Sequence, residues 1–231
     1  DQHQHQQQQP SINIRYANVS TWGPKVVRVL DEYKKHVHVW ILVELHLLTK
    51  EALRAATADA TRCGYQLFAQ LAKHKLGGVG IAVRRNIKLA NIATTAAGHD
   101  SKFDEGEGYL LVALCLREAQ IIIAGVYLES SIGLVSRNLV RLQKFGAKLR
   151  SLGGKSIIAG DWNATPEELL ATDFLTKVGG KALQADAAVT CTMGKGRVID
   201  FLVATSHTEQ LVQELKLDMQ IDWPPHIGLI F

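Results

Sequence analysis

The stretch IIAGDWN, residues 157–163, joins an apolar run to polar residues at its end. The apolar part predicts a buried strand, and Gly160 with the residues after it marks where that strand ends. Because side chains two positions apart on an extended chain lie on one face, we expect Asp161 and Asn163 to project together. A carboxylate beside a carboxamide provides a base or metal ligand next to a neutral hydrogen-bonding group. The alternative is an Asx turn that leads into a helix.

The residues that follow predict a helix from Glu167 to Val178. Thr165 suits the N-cap, Pro166 suits the first helical turn, and Glu168 completes a capping box with Thr165. Two further segments show the apolar spacing of a helix. These are Pro24–Lys35 and Arg137–Leu152.

Short apolar or alternating runs predict strands throughout the rest of the chain. They are Ile12–Val19, Val37–Leu45, Tyr65–Leu71, Val79–Arg84, Tyr109–Leu116, Gln120–Leu128, Ser156–Ala159, Val198–Ala204 and His226–Phe231. Several are apolar throughout, which is typical of strands covered on both faces. Many strands with few helices predict an α/β domain in which two packed sheets are flanked by helices.

The composition is that of an ordinary globular domain. The chain has 231 residues, 47% of them hydrophobic and 21% charged, and a net charge of +4 at pH 7. This balance excludes disordered and collagen-like chains and permits a phosphate-bearing partner. The cysteines, Cys63, Cys115 and Cys191, lie far apart, which argues against zinc ribbons and disulfide frameworks and favours an intracellular location in the nucleus or cytoplasm. No run approaches the roughly 18 apolar residues of a membrane span, so we expect no membrane partner.

Residues 1–10 are rich in glutamine and histidine. We expect this segment to be a disordered leader, because such a composition cannot form a packed core. From residue 11 to residue 231 no linker or charge block interrupts the pattern, so we expect one domain there, present as a monomer.

Glu44 is a second candidate for chemistry, because it follows the apolar run VWILV at residues 39–43. A carboxylate at the end of such a strand lies either in solvent or beside a cation. One or two carboxylates together with water suit Mg²⁺. His46, two residues on, would share the face of Glu44. A solvated glutamate at a strand end is the alternative.

Three more polar residues lie in predicted strands: Tyr127, Asp200 and His226. A phenol at the end of a strand can donate a hydrogen bond to a phosphate oxygen. An Asp200–His226 pair would orient the imidazole and raise its pKa. A cationic imidazole could then stabilise charge on a phosphoryl group. Each residue also has an ordinary structural explanation: a tyrosine at the rim, a satisfied core aspartate and a histidine that starts a strand.

The order and spacing of these residues resemble the endonuclease/exonuclease/phosphatase superfamily, which includes apurinic endonucleases, pancreatic-type deoxyribonucleases and the endonucleases of LINE-type retrotransposons. The match is best at residues 160–163, which look like the family's Gly-Asp-Phe/Trp-Asn. Five other segments resemble family motifs, and the resemblance extends from Ser11 to Phe231. These segments are NVSTW at 18–22, VELH at 43–46, GGVGIA at 77–82, VYL at 126–128 and IDF at 199–201.

The resemblance implies a four-layer α/β/β/α sandwich of two mixed, mainly antiparallel sheets flanked by helices. It places the site where loops meet at one end of the two sheets. It implies Mg²⁺, with Mn²⁺ as a substitute, bound by Glu44 with Asn18 nearby. The reaction would be the in-line hydrolysis of a phosphoester, in which positioning and charge stabilisation carry most of the catalysis.

The resemblance also implies a role for each polar residue. Asp161 would activate or orient the attacking water, and Asn163 would position that water or the phosphate. Asp200 would orient His226, which would stabilise the pentavalent transition state. Substrate contacts would come from Asn163, Tyr127 and His46.

Three segments depart from the family pattern, one of them at Val43, which replaces the usual glutamine. The family usually has Ser-Asp-His before its last strand, whereas this chain has Pro224-Pro225-His226. Pro225 therefore replaces an aspartate that often helps to hold the metal or to polarise water, and Asp222 is the nearest acidic candidate to compensate. Glu129, with Leu128, departs from the family's Tyr-x-Pro.

We therefore predict a Mg²⁺-dependent endonuclease, of the kind that mobile elements encode, with nucleic acid as its partner and DNA as the expected substrate. Basic residues on one face of the predicted helix could lie along a phosphate backbone, although a solvated helix face is the alternative. These residues are Arg137, Arg141, Lys144 and Lys148. Two other functions stay open: a catalytically impaired domain that binds nucleic acid or a partner, because of Pro225, and a small-molecule phosphatase.

Overall fold

The computed structural model describes residues 11–73, 77–90, 108–116, 119–205 and 208–231. The expected disordered leader, residues 1–10, lies outside these ranges and stays a prediction. The strands of the described residues are β1 Ile14–Asn18, β2 Val39–Val43, β3 Tyr65–Ala69, β4 Val79–Arg84, β5 Tyr109–Cys115, β6 Gln120–Tyr127, β7 Lys155–Asp161, β8 Gly180–Leu183, β9 Asp200–Thr205, β10 Lys216–Trp223 and β11 His226–Ile230. Their helices are α1 Pro24–Tyr33, α2 Lys50–Arg62, α3 Ser136–Leu152, α4 Pro166–Leu170 and α5 Phe174–Val178.

The strands form two sheets, one of six strands and one of five. The first has the order β10-β11-β1-β2-β4-β3, and the second has the order β5-β6-β7-β9-β8. The pairs β1–β2 and β6–β7 are parallel, and the other pairs are antiparallel. The predicted architecture of two mixed, mainly antiparallel sheets flanked by helices is therefore confirmed.

Strands that are apolar throughout, such as β2, line two hydrophobic cores at once. In β2, Val39, Ile41 and Val43 point into the core between the sheets. Trp40 and Leu42, at the alternate positions, pack in the outer core that includes residues of α1 and α2. A third core joins the five-stranded sheet to α3, α4 and α5. Alternating side chains of one buried strand thus face a sheet on one side and helices on the other, which produces the four layers.

The predicted helix from Glu167 to Val178 is instead two short helices, α4 and α5. The capping box of Thr165 and Glu168 starts α4 as expected. The helix ends because the Thr172 hydroxyl donates to the carbonyl of Leu169, 2.7 Å away, and turns the chain. Phe174, the first residue of α5, can then pack its ring against Trp162 and Phe145 in the outer core.

Three elements were not predicted: α2, β8 and β10. Helix α2 buries only Ala56 and Ala60 among its side chains, so its sequence lacks a strong apolar stripe. Its start is nevertheless defined, because the Thr49 side chain accepts a hydrogen bond from the N–H of Ala52 at 3.1 Å. Strand β8 has four residues, and β10 has exposed residues along its length. No helix in the described ranges is long and apolar enough to cross a membrane.

Candidate active site

The topology brings polar strand ends together at one end of the sandwich. In the parallel pair β1–β2, Asn18 lies opposite Val43, so Glu44 follows beside it. In the parallel pair β6–β7, Tyr127 lies opposite Asp161. Strand β9 is antiparallel to β7 and begins opposite Asp161. Both sheets therefore contribute polar residues to the same edge of the molecule.

Asp161 is buried at the centre of this group, 2% exposed. Its Oδ2 accepts a hydrogen bond from Asn18 Nδ2 at 3.1 Å, and its Oδ1 accepts one from the backbone N–H of Asn163 at 3.0 Å. Burial, and next the negative charge of Asp200, raise the pKa of Asp161 to about 8. The carboxyl group of Asp161 is therefore held in place by two hydrogen-bond donors, while its buried surroundings disfavour its negatively charged form.

His226 is oriented by Asp200, whose Oδ2 lies 2.9 Å from His226 Nδ1. The other ring nitrogen, Nε2, faces Asp161 Oδ2 at 3.8 Å. Burial lowers the pKa of the imidazole, but the hydrogen bond and the charge of Asp200 outweigh burial and bring it to about 9. The imidazole is therefore protonated at neutral pH, with Nδ1–H donated to Asp200 and Nε2–H available for another acceptor.

Tyr16 completes this chain of hydrogen bonds, although nothing in the sequence indicated it. Its hydroxyl donates to Asp200 Oδ1 at 2.6 Å, and the residue is fully buried in β1. Burial and then the charge of Asp200 raise the pKa of Tyr16, so the phenol stays protonated and remains a donor. In sequence Tyr16 looks like any large residue of a buried strand, so the pairing across the two sheets was not predictable.

Glu44 faces Tyr127 across the two sheets, and the Tyr127 hydroxyl donates to Glu44 Oε1. Burial and then this hydrogen bond raise the pKa of Tyr127 well above its usual value. Glu44 has a φ of +59°, a left-handed conformation that is rare for a glutamate. Gly77 packs against it so closely that a Cβ atom at residue 77 would lie 2.6 Å from Glu44 Cα. A glycine is therefore needed at residue 77, because a side chain there would clash with the backbone of Glu44. Unusual backbone conformations such as that of Glu44 occur preferentially at functional sites.

The chain is not extended at Asn163 or at His46, and this corrects two expectations. Asn163 has a φ of +48°, and its N–H bond to Asp161 makes the alternative Asx turn. Its side chain donates to the carbonyl of Leu128 at 2.7 Å, beside the site. His46, also at φ +48°, is exposed, and its Nδ1 lies 2.7 Å from the carbonyl of Ser20. His46 therefore contacts the loop after β1 and also lies beside Glu44, because its Nδ1 is 3.1 Å from the backbone carbonyl oxygen of Glu44.

The donor set fits a hard divalent cation. Asp161, Asp200 and His226 each offer a ligand atom, all within 4.8 Å of one another. The oxygens of Asp200 accept from Tyr16 and His226, and those of Asp161 accept from Asn18 and from the N–H of Asn163. The contact described for Glu44 involves Oε1 alone, so its Oε2 is the most accessible of these carboxylate oxygens to a cation. Carboxylate oxygens are what Mg²⁺ and Mn²⁺ prefer. The negative charges of Asp200 and Glu44 contribute to the raised pKa of Asp161, so the site brings negative charges together, and a bound cation would neutralise them.

Asn18 and the segment before His226 also make defined contacts near the site. The Asn18 side chain donates to Asp161 and accepts from the N–H of Ser20 at 3.1 Å, so both of its polar atoms serve the protein. Pro225 contributes a backbone carbonyl, which accepts from the N–H of Thr192 at 2.9 Å. Asp222 is exposed on β10 and lies outside the cluster of Asp161, Asp200 and His226.

No protein-family model and no curated protein matches the chain. Solved structures do match it over nearly its whole length. The endonuclease domain of TRAS1, a telomere-specific non-LTR retrotransposon, has a TM-score of 0.72 and 16% identity, over 96% of this chain and 97% of that one. The AP endonuclease LMAP from Leishmania major has a TM-score of 0.69 and 15% identity, over 95% and 86%. An endonuclease/exonuclease/phosphatase family protein from Leptotrichia buccalis has a TM-score of 0.60 and 14% identity, over 95% and 98%. The chain therefore has the fold of the endonuclease/exonuclease/phosphatase superfamily.

Proposed function

We propose that the chain is a metal-dependent phosphodiesterase that cleaves nucleic acid at this site. The observation that carries the proposal is the facing pair of Asp161 and His226, with Nε2 and Oδ2 3.8 Å apart, built from both sheets and oriented by Asp200. A carboxyl group of raised pKa beside a cationic imidazole is an arrangement suited to acid–base work on a phosphate.

The hydrogen bonds assign a part to each residue. Asp161 is held by Asn18 and by the N–H of Asn163, so its carboxylate is fixed where it can accept a proton from an attacking water. His226 holds a proton at Nε2 and would donate it to a phosphate oxygen as negative charge develops there. Asp200 keeps the ring in place through Nδ1–H. These groups are preorganised, so little rearrangement is needed during the reaction.

Glu44 and Asp161 would hold Mg²⁺ or Mn²⁺ between the two sheets. When bound, the ion supplies positive charge that stabilises the phosphate oxygens and favours the ionised form of Asp161. Tyr127 orients Glu44 through its hydroxyl, and a contact from Tyr127 to the phosphate stays part of the proposal. Asn18 would hold the Asp161 side chain in place through its hydrogen bond.

A nucleic acid, and specifically DNA, is the substrate we favour. The chain carries a net charge of +4, which suits a phosphate-bearing partner. The TRAS1 domain, an endonuclease by its name, matches over almost its full length, and this supports a mobile-element endonuclease. The basic face of α3 contributes less than the sequence suggested, because Arg137 and Arg141 both contact the buried carboxylate of Glu129.

The test is a nicking assay on supercoiled plasmid with Mg²⁺, with Mn²⁺ and with EDTA. We expect metal-dependent nicking by the wild type, lost by about 10²-fold or more in Asp161→Asn and in His226→Gln. Asp31→Asn, an exposed carboxylate on α1, is the matched control and should nick like the wild type. Nicking that survives Asp161→Asn in a folded protein, or that EDTA leaves intact, contradicts the proposal.

The position of Pro225 favours a second candidate, a domain of the same fold that binds nucleic acid without cutting it. The side chain of Pro225 has no hydrogen-bonding group and no metal ligand, whereas the family pattern has an aspartate at this position. This candidate predicts plasmid binding that Asp161→Asn leaves unchanged and no nicking at any Mg²⁺ or Mn²⁺ concentration. If the wild type nicks, an Asp222→Ala variant shows whether Asp222 acts in place of the missing aspartate, because only then would the variant lose nicking.

A further inference from the structure

We infer that Glu129 is a positioning residue, which holds Asn163 in place through the backbone of Leu128. Four side chains form what we call the Glu129 clamp. Its members are Glu129, Arg137, Asn138 and Arg141. The effect on catalysis rests on the proposed function, whereas the effect on the geometry of Asn163 does not.

Glu129 is a buried carboxylate, 2% exposed, in the loop between β6 and α3. Arg137 Nη2 donates to its Oε1 at 2.8 Å, and Arg141 Nη1 lies 3.6 Å from its Oε2. Burying a charge is costly unless it is paired, so these two arginines explain how the carboxylate is tolerated. The family pattern has a proline at this position, and a proline fixes its own φ angle. Glutamate has no such restriction, so the loop here needs another constraint.

Asn138 provides that constraint from α3. Its Oδ1 accepts from the backbone N–H of Glu129 at 3.0 Å, and its Nδ2 donates to the backbone carbonyl of Glu129 at 2.8 Å. Arg141 also donates to Asn138 Oδ1, at 3.1 Å. Asn138 is fully buried. The backbone of Glu129 is therefore fixed on both of its polar groups, and its side chain is fixed by the same helix.

The residue before the clamp contacts the candidate active site directly. The carbonyl of Leu128 accepts from Asn163 Nδ2 at 2.7 Å, and the N–H of Leu128 donates to the backbone carbonyl of Asp161 at 3.0 Å. Asn163 in turn donates its N–H to the Asp161 side chain. A shift at Glu129 is thus transmitted through one peptide unit to Asp161, the last residue of β7, and to Asn163.

The clamp gives Arg137 and Arg141 an internal role, which differs from the phosphate-contacting role that the basic face of α3 suggested. The two roles have opposite kinetic signatures. A phosphate contact contributes to binding and to its salt dependence. A positioning contact acts on the chemical step, because a displacement of about 1 Å at a reacting group can cost about 10²-fold in rate.

The kinetic experiment uses Glu129→Gln, Arg137→Ala and the double variant, with supercoiled plasmid as the substrate. For both single variants we expect kcat to fall by about 10- to 100-fold while KM changes less than about 2-fold. The double variant should lose no more than the worse single variant, because both remove one interaction. Arg137→Lys should recover part of kcat, and Arg150→Ala, an exposed arginine on the same helix, should match the wild type. A rise in KM with unchanged kcat in Arg137→Ala overturns the inference.

A second measurement does not depend on activity. In ¹⁵N-labelled protein, we expect the side-chain amide signals of Asn163 and the backbone signal of Leu128 to move in Glu129→Gln and in Arg137→Ala but not in Arg150→Ala. If the wild type fails to nick plasmid, the proposed function fails, while these signals still test the clamp. If Glu129→Gln does not fold, Arg137→Ala replaces it, because Arg137 is largely exposed. Unchanged Asn163 signals in a folded variant overturn the inference.

Discussion

At the scale of single residues, the candidate site depends on a chain of hydrogen bonds that crosses from one sheet to the other. Tyr16 of the six-stranded sheet donates to Asp200 of the five-stranded sheet, and Asp200 accepts from His226 of the first sheet again. Each oxygen of Asp200 thus has one partner. A hydrogen bond to a buried charge is worth more than one between neutral groups, about 1.5–3 kcal/mol. The carboxylate is therefore both stabilised and aimed by Tyr16.

Tyr16→Phe should lower kcat about 10-fold with little change in KM, because Asp200 then loses the side-chain hydrogen bond that holds its carboxylate in place beside His226. Its matched control is Tyr65→Phe, since Tyr65 is also fully buried and donates to a backbone carbonyl, that of Val37, at 2.9 Å. Both variants should lose stability in thermal unfolding. Only Tyr16→Phe should lose nicking rate, and equal rates in the two variants would contradict the role given to Tyr16.

The pKa values of Asp161 and His226 predict that stability in EDTA falls as the pH rises. For Asp161, burial and then the charge of Asp200 raise the folded pKa to about 8, so the folded chain binds more protons than the unfolded chain from about pH 4 to pH 8. For His226, burial is outweighed by Asp200, and the pKa of about 9 gives stability that is complete below about pH 6.5 and lost as the pH rises through 9. Both effects have the same sign. Tm measured from pH 5 to pH 9 should decrease.

Asp161→Asn should remove the larger part of this pH dependence of the stability, because an asparagine cannot ionise. Its Tm in EDTA should exceed that of the wild type at pH 8.5 by several degrees and should approach it at pH 5. The same variant loses nicking, so it would be more stable and less active, as expected where a site stores unfavourable charge. Asp31→Asn should follow the wild-type curve. A Tm for Asp161→Asn below that of the wild type at pH 8.5 would show that the aspartate is not destabilising.

At the scale of elements, the sequence predicted best those strands whose neighbours on both faces are apolar. Strand β2 is apolar at every position because its alternate residues line different cores, so a simple run of hydrophobic residues marks it. Helix α2 and strand β10 bury far less, and their sequences carry no comparable pattern. The loops were predicted least well. Extended geometry was expected at Glu44 and Asn163, but both have positive φ angles, which tertiary contacts impose and local sequence does not indicate.

The contact between Gly77 and Glu44 gives a prediction about one of these loops. In Gly77→Ala the new Cβ would meet Glu44 Cα at 2.6 Å, and that atom belongs to the backbone, so Glu44 must move. We expect Mg²⁺ affinity, measured by calorimetry, and nicking to fall about 10-fold or more. Gly23→Ala is the control, because a Cβ there meets nothing within 4 Å. Unchanged Mg²⁺ affinity in a folded Gly77→Ala would remove Glu44 from the metal site.

At the scale of the whole molecule, the two sheets were predictable as layers, but their relative placement was not. The order of polar residues along the chain, from Asn18 to His226, was sufficient to indicate the fold, which the solved structures confirm. The sequence did not reveal that Tyr16 reaches Asp200, that Tyr127 reaches Glu44, or that Glu129 is held by α3. The first two contacts join segments far apart in the chain, and they depend on how the layers pack, which the pattern of one strand does not contain. Glu129 is close in sequence to its partners on α3, but the path of the loop between them is not marked by any pattern in the sequence.

Because the carboxylates of Glu44 and Asp161 come from opposite sheets, their charges oppose the packing of the two sheets at this end. A divalent cation held between them should therefore stabilise the sandwich as a whole. At a concentration ten times its dissociation constant, Mg²⁺ would raise the free energy of unfolding by about 1.4 kcal/mol, which corresponds to roughly 3–6 °C in Tm for a chain of this size. The rise should be absent in Glu44→Gln and in Asp161→Asn and present in Asp31→Asn. Since Tm requires no turnover, this measurement tests the metal site even in a protein that does not nick DNA, and an unchanged wild-type Tm at saturating Mg²⁺ would exclude an ion that joins the two sheets.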